Sequence, residues 1–440
     1  MTYVVAKSTQ SNRDRNRLSV EDTAAHEWYR FVLSFPPHLV REYLSRFGLQ
    51  EGQRVLDPFC GTGTTLVECK KQGVSAVGIE ANPMAHFASV VKCTWTADPT
   101  ALILNAQEVH DAAEHTLRKD GIEDPPLSSP TMSHAAGLRS LPREACALLL
   151  RDSISPRPLH KALVLLDAID KLGHAPLVAH MRLAFAKTAV FYASNLRFGP
   201  EVGLGKIKSD AAVLEPWFEL VQGMSNDLVY LGHQASVPTE VHFGDAREAG
   251  DHVEPRSIDA VITSPPYPNE KDYTRATRLE SVLLGILQTK DDLRRLKATL
   301  VRSNTRGVYK SDDDDRWVGE HEEIGRLADS IEERRKSLGK TSGFERLYAR
   351  VTRLYFGGMA RHLASLRPVL RSGARLAFVV GDQASYLKVL IRTAHILADI
   401  AASLGYEVEG IDLFRTRAAT ATRTELREEV LLLSWPGGKG

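Results

Sequence analysis

The chain has 440 residues, 43% of them hydrophobic and 25% charged, which is enough apolar material for a sizeable core and excludes wholesale disorder. At roughly 150 residues per domain it would hold about three units, or one large α/β domain with insertions. With 56 Lys and Arg against 55 Asp and Glu the net charge is +1, so nucleic-acid binding must come from local basic patches and not from a global field.

Residues 1–20, rich in Ser, Asn and Arg, read as a flexible arm, and the polar stretch Met1–Arg17 lacks the apolar h-region of a secretory signal. From His26 to Leu49 the pattern is helical but broken at Phe35-Pro36-Pro37. Proline is tolerated in a first helical turn, so a helix from there to about Phe47 is predicted. Arg54–Asp57 is a short buried strand that ends in Phe59-Cys60-Gly61-Thr62-Gly63-Thr64-Thr65. A helix follows through Lys71, then a strand at Ala76–Glu80, and Asn82-Pro83 opens a further helix. This order is the front half of a doubly wound α/β domain. Asp98 to about Gly232 is mostly helical, cut by a Pro/Ser-rich stretch at 124–130, with His160–Lys171 and His180–Asn195 the clearest helices. Its loop Arg197–Lys208 carries Gly199-Pro200, Gly203, Gly205, Lys206 and Lys208.

Strands return at Val241–Asp245 and Ile258–Thr263, and Ser264-Pro265-Pro266-Tyr267 follows at the carboxyl end of the second. Tyr273 to Leu370 is helical and charged, and its run Asp312–Asp315 reads as an exposed acidic loop. Strands at Arg375–Val380, Val408–Phe414 and Glu429–Trp435 close the chain, the last two as an antiparallel hairpin at the sheet edge. There is no repeat of 20–50-residue period and no apolar run near the ~20 residues that span a bilayer. Cys60, Cys69, Cys93 and Cys146 are too few and too irregularly spaced for a disulfide framework or zinc knuckle. A reducing cytoplasm is the expected compartment, with no membrane association.

The turn Phe59–Thr65 lets backbone approach a ligand closely and aims N–H groups at it. It has no Gly-Lys-Ser/Thr ending, which disfavours a phosphate loop, and its spacing is not Gly-x-Gly-x-x-Gly. Glu80 stands where a carboxylate would hold a ribose diol, and Asp245 could accept from an adenine amino group. Taken singly, a turn glycine pair and surface carboxylates would look the same. Ser264-Pro265-Pro266-Tyr267 is more informative. Two prolines fix two φ angles and remove two donors, leaving a stiff turn that offers carbonyl oxygens. An exocyclic amine on a nucleobase is a poor nucleophile because its lone pair is delocalised into the ring. Acceptors near its hydrogens, here the Pro265 carbonyl and the Ser264 hydroxyl, would favour a pyramidal nitrogen, and Tyr267 offers a face for stacking. Alone, the tetrapeptide also fits a rigid loop tip with a packed tyrosine.

Asp57-Pro58-Phe59-Cys60-Gly61-Thr62-Gly63-Thr64-Thr65 resembles the cofactor motif of S-adenosylmethionine-dependent amino-methyltransferases acting on DNA. Thr263-Ser264-Pro265-Pro266-Tyr267 resembles their catalytic motif, whose serine form is more typical of cytosine-N4 and whose aspartate form of adenine-N6 enzymes. Ser34-Phe35-Pro36-Pro37 is similar to the segment that packs a phenylalanine near the cofactor's methionine part. The resemblance covers roughly residues 26–96, 238–285 and 366–436. It implies a Rossmann-like doubly wound methyltransferase sheet with a C-terminal antiparallel hairpin and helical insertions. It also implies that Phe35, Asp57, Phe59, Gly61 and Gly63 shape the methionine pocket of S-adenosyl-L-methionine, with Thr64 and Thr65 lining it, Glu80 on the ribose and Asp245 on the adenine. Ser264, Pro265, Pro266 and Tyr267 would be catalytic.

The implied reaction is direct, metal-free methyl transfer to N4 of a flipped-out cytosine in double-stranded DNA, with no cysteine nucleophile, Cys60 packing inside its turn. Adenine-N6 transfer, amine methylation of a structured RNA, and a non-catalytic methyltransferase-like DNA-binding subunit are the alternatives. Restriction or defence-system subunits are the candidate partners. The expected organisation is a catalytic domain from 21–97, 236–285 and 366–440, an inserted helical region at 98–235, and a charged helical insertion at 286–365 suited to DNA recognition. In this family target recognition usually lies after the Asp245-type motif or at the C-terminus, so an insertion between the Glu80 and Asp245 motifs is a departure. Lys271, Arg275, Arg278, Arg294, Arg295, Lys297, Arg302, Arg306 and Lys310 form a basic cluster in which Arg302-Ser303-Asn304-Thr305-Arg306 could reach phosphates or bases, or which is a solvated helix face. Lys206 and Lys208 are a second candidate.

Overall fold

The computed structural model describes residues 18–30, 35–124, 137–173, 176–199, 201–418 and 425–438. The expectations placed on residues 1–17, on Ser34, on Pro200 and on most of the stretch 124–130 lie outside the described residues. Helix α1 (Pro37–Phe47) opens on a proline whose missing N–H is not needed there, and Gly48 closes it at φ 66°, a left-handed stop that suits glycine. Then come β1 (Arg54–Asp57), α2 (Thr64–Lys71) and β2 (Ser75–Glu80). Helix α3 (Pro83–Cys93) is capped by Asn82, whose side chain accepts from the N–H groups of Met84 and Ala85.

The stretch 98–235 supplies α4 (Pro99–Lys119), α5 (Pro156–Asp170), α6 (Pro176–Thr188), a ribbon of β3 (Leu196–Phe198) and β4 (Val202–Leu204), and α7 (Leu214–Leu231). The ribbon falls where the sequence pattern indicated only a loop. Strands β5 (Thr239–Phe243) and β6 (Ile258–Thr263) follow, then α8 (Lys290–Thr299), α9 (Glu322–Ser337) and α10 (Tyr348–Leu366). The chain closes with β7 (Leu370–Gly381), α11 (Thr393–Ser403), β8 (Glu407–Ala418) and β9 (Glu425–Trp435).

Seven strands form one sheet in the order β5-β2-β1-β6-β7-β9-β8. The first five are parallel, and β9 runs antiparallel between β7 and β8. This is the Rossmann-like sheet with its C-terminal antiparallel hairpin. Strand order reverses at β1 and β6. The loops leaving their carboxyl ends therefore border one crevice, and these loops are Pro58–Gly63 and Ser264–Tyr267.

Alternation along each strand feeds two apolar layers. Val55, Ala377 and Leu432 face the side covered by α1–α7, and their neighbours Leu56, Phe378 and Leu433 face α10 and α11. Leu102, Leu165, Phe185 and Trp217 of the inserted helices belong to the same cluster as Leu39, Leu66 and Met84. Helix α10, within the span read as the charged insertion, contributes Tyr355, Phe356 and Met359 to the layer on the sheet's opposite face.

The acidic run is the exposed loop expected only at Asp313, since Asp312 and Asp314 are held inward. Asp312 takes two hydrogen bonds from Arg302 at 2.8 and 2.8 Å, while buried Asp314 pairs with Arg247 at 2.5 Å and Arg361 at 3.3 Å. Gly357 and Gly358 of α10 permit this approach, because a Cβ at Gly357 would overlap the Asp314 carbonyl. Among the described residues no helix is long and apolar enough to cross a membrane.

Candidate active site

A cavity of about 640 Å³ opens at the carboxyl ends of β1 and β6. Phe35, Phe59, Gly61, Thr64, Glu80 and Asp245 line it together with Ser264, Pro265, Pro266 and Tyr267. The two motif segments thus share one space. Asp57, Gly63 and Thr65 do not line it and stand behind its wall. The Thr263 hydroxyl donates to Asp57 Oδ1 at 2.6 Å, joining the ends of β1 and β6 across 206 residues of sequence. The N–H of Phe59 donates to the same oxygen at 3.1 Å. Despite both bonds, burial pushes the Asp57 carboxyl up to about 6. Gly63 precedes α2 at φ 82°, where a Cβ would meet Ser89 Oγ at 2.6 Å. Thr65 donates to the Ile262 carbonyl at 3.2 Å.

Glu80 is oriented by backbone. Gly61 N–H donates to one oxygen at 2.8 Å and Asn82 N–H to the other at 2.7 Å. A carboxylate has about four acceptor sites, so capacity for a vicinal diol remains. Burial pushes this carboxyl up to about 7. Asp245 is more heavily engaged. Its oxygens accept from Arg247 N–H at 2.9 Å, from Arg247 Nε at 3.0 and 3.1 Å, and from Nη2 at 2.5 Å. Any group meeting Asp245 in the cavity meets a carboxylate already neutralised by a guanidinium. The sequence reading missed Arg247 and its second partner Asp314. Nothing in either local pattern links positions 67 residues apart.

On the side of the Ser-Pro-Pro-Tyr turn, Ser264 donates its proton to the Val379 carbonyl at 3.2 Å, which leaves its oxygen lone pairs free to accept. The N–H of Tyr267 donates to the hydroxyl of Tyr273 at 3.2 Å. Tyr273 also lines the cavity and was not among the residues expected. The Tyr267 ring rests on Gly381, where a Cβ would stand 3.0 Å from Cε2 and 3.3 Å from Glu428 Cγ. Burial and the neighbouring Glu428 carboxylate raise the Tyr267 hydroxyl. Glu428 in turn accepts from Arg415 Nε at 2.5 Å, and Arg417 Nη2 donates to the Asp382 carbonyl at 3.1 Å. Arg415, Arg417, Glu428 and Lys271 complete this wall.

Much of the expected basic patch is internal bracing. Arg278 donates to the Thr274 hydroxyl at 2.6 Å, Lys297 pairs with Asp272 at 2.9 Å, and buried Arg302 holds Asp312. Arg294 and Arg295 pair with Asp291 and Asp292 on their own helix. Lys208 Nζ donates to the Tyr192 carbonyl at 2.7 Å. Arg306, Lys310 and Lys206 remain exposed. Among the described residues no cluster of His, Cys, Asp and Glu is placed to hold a metal ion.

A family model described as DNA methylase matches residues 6–89. The chain is 26% identical over 293 residues to the Type II methyltransferase M.BsoBI of Geobacillus stearothermophilus, covering 61% of this chain and 54% of that protein. It is 24% identical over 409 residues to the Type II methyltransferase M.AvaI of Nostoc sp. PCC 7120, covering 88% of this chain and 80% of the relative. A shorter likeness, 45% over 47 residues, 11% of this chain and 14% of the relative, is to a tRNA (guanine(10)-N2)-dimethyltransferase of Methanothermobacter thermautotrophicus. The chain thus spans about half of M.BsoBI. In its strand order, in the shared crevice of the two motif loops and in these likenesses, the chain is similar to DNA amino-methyltransferases.

Proposed function

We propose that this chain methylates an exocyclic amine of a base in double-stranded DNA, with S-adenosyl-L-methionine as donor and N4 of an everted cytosine as acceptor. One observation carries the reading. The glycine turn and the Ser-Pro-Pro-Tyr turn border a single cavity, and Thr263 and Asp57 tie their strands together behind it. The cavity wall fits the donor's chemistry. Glu80 keeps acceptor capacity for a ribose diol, Phe35 and Phe59 are apolar surface for the methionine part, and Gly61 lets backbone come close. Asp245, neutralised by Arg247, borders the adenine end. When bound, the donor supplies an electrophilic methyl group on a sulfonium.

The residues of this chain then position and desolvate. Tyr267 stacks on the base, whose eversion costs a few kcal/mol. The Pro265 carbonyl and the Ser264 oxygen accept the two amine hydrogens and free the nitrogen lone pair for an in-line attack. The nitrogen would bond to the methyl carbon as the carbon–sulfur bond breaks, the pair leaving with sulfur in S-adenosylhomocysteine, and the extra proton on nitrogen would pass to solvent by way of these acceptors. No side-chain nucleophile takes part. The likeness of residues 6–89 to a family described as DNA methylase supports DNA over RNA as acceptor, and a cytoplasmic chain of this kind would act beside a restriction nuclease of the same specificity.

The test is expression in a methylation-free bacterium followed by mass spectrometry of the nucleosides from its DNA. N4-methylcytosine is expected. N6-methyladenine would move the acceptor to adenine, and an unmodified genome would overturn the proposal.

A further inference from the structure

The β3–β4 ribbon has an unusual surface for an element with no assigned role. Its base is fixed. Buried Asn195 donates through its N–H to the Ser153 carbonyl at 2.7 Å and through Nδ2 to the Asp152 carbonyl and Ser155 Oγ at 2.9 and 3.0 Å. It accepts from Gly205 N–H at 2.7 Å and from Lys208 N–H at 2.8 Å. The far end bears on the cavity, which Gly199 and Glu201 help to line, with the Glu201 carboxylate 3.9 Å from Arg275. The register pairs Leu196 with Leu204, Arg197 with Gly203 and Phe198 with Val202. One face is therefore apolar and the other presents Arg197.

On the apolar side Leu204 is 41% exposed and Phe191 47%, with Phe191 against Phe198 at 5.7 Å, and Ile207, three residues past β4, is 57% exposed. Arg197 and Lys206 are exposed and have no ion-pair or hydrogen-bond partner among the described residues. A rigid ribbon with unpaired cations and uncovered apolar side chains, at the mouth of a cavity read as taking an everted base, matches what a duplex offers there. Phosphates flank the base, and a major groove about 12 Å wide admits a two-stranded ribbon.

We infer that the β3–β4 ribbon is a DNA-docking element that seats against the duplex beside the everted nucleotide, Arg197 and Lys206 neutralising backbone phosphates. This rests on the proposed function and adds the surface through which DNA is held. It gives the segment between the Glu80 and Asp245 motifs a role in substrate binding. Two phosphate contacts should make the dependence of log K on log salt steeper by about 1.8, at about 0.9 per contact.

The experiment compares the full chain with its Arg197→Gln/Lys206→Gln double variant, binding a fluorescein-labelled duplex by anisotropy from 0.05 to 0.3 M NaCl. The expected result is a salt slope shallower by about 1.8, with an unchanged thermal midpoint. Arg118→Gln/Lys119→Gln at the exposed end of α4, which lines no part of the cavity, should leave the slope unchanged. Equal slopes for the ribbon variant and the parent would overturn the inference. So would a change in sedimentation coefficient at constant slope, which would mean that the ribbon docks another copy of the chain, and so would absence of duplex binding by the parent. Methyl transfer to DNA is read separately. A parent that binds duplex through the ribbon without transferring methyl would defeat the proposed function and leave the ribbon's role intact.

Discussion

Gly381→Ala should slow methyl transfer while leaving donor binding intact. Gly381 ends β7 under the Tyr267 ring. A Cβ built there lies 3.0 Å from Tyr267 Cε2, 3.4 Å from Cδ2 and 3.3 Å from Glu428 Cγ. Ordinary carbon contacts begin near 3.4 Å, so the ring must lift by a few tenths of an ångström. Overpacking of this kind costs about 1–3 kcal/mol of stability. The ring is also the proposed stacking face. A displacement near 1 Å costs about 10²-fold in rate, so a shift of about half that size should cost roughly tenfold, or ~1.4 kcal/mol of barrier. Glu80 and Gly61 hold the other end of the cavity and are not touched by the new methyl. Single-turnover transfer from labelled donor to DNA reads the rate, and titration calorimetry with S-adenosylhomocysteine reads the donor site. A tenfold slower step with a dissociation constant within twofold is expected. An unchanged rate, or equal losses in rate and donor affinity, would refute the assignment of Tyr267 to the base.

Tyr273→Phe removes the acceptor of the Tyr267 N–H. An unpaired buried donor costs about 1–3 kcal/mol, so both the denaturant midpoint and the transfer rate should fall, and an unaltered rate would exclude a positioning role. Thr263→Val keeps shape but takes a hydroxyl from the buried Asp57 carboxylate. Bonds to charged groups contribute about 1.5–3 kcal/mol, and urea denaturation at pH 8 should register that loss, with no change in midpoint contradicting the strand-tying role. Glu80 gives a pH dependence. Its carboxyl is raised to about 7 in the fold against 4.5 ordinarily, so its contribution to stability is present below about pH 4.5 and is lost as pH rises through 7. Asp57, at about 6, acts in the same direction. A diol is held best by the ionised form, so donor affinity should rise with pH through 7 while the melting temperature of Glu80→Gln gains on the parent. Donor affinity flat from pH 5.5 to 8.5 would contradict the assignment.

What was legible in the sequence was local. Proline at the start of α1, the strand–turn–helix run from Arg54 and the alternation of the closing strands depend on neighbours a few positions apart. Even within the motif Asp57–Thr65, however, spacing does not say which side chains face the ligand. Phe59, Gly61 and Thr64 line the cavity, while Asp57 and Thr65 turn inward to brace β6. The features missed are pairings between separate segments. Arg247 with Asp314, Arg302 with Asp312, and Tyr267 on Gly381 each join segments with no mutual signal. The run Asp312–Asp315 looked solvated because the arginines that bury it lie elsewhere in the chain. The inserted helices carry apolar stripes, but a stripe does not name its partner, so their continuity with the cluster around Leu66 and Met84 emerged only in three dimensions. The ribbon was hidden because three-residue strands flanked by Gly199 and Gly205 read as loop.

The central claim is spatial, and a crystal structure of the chain with S-adenosylhomocysteine tests it most directly. The account predicts ribose hydroxyls on Glu80, the amino-acid part against Phe35 and Phe59, and the thioether sulfur turned toward Pro265 and Tyr267. Nucleoside density away from Glu80, or a sulfur walled off from Ser264–Tyr267, would contradict it.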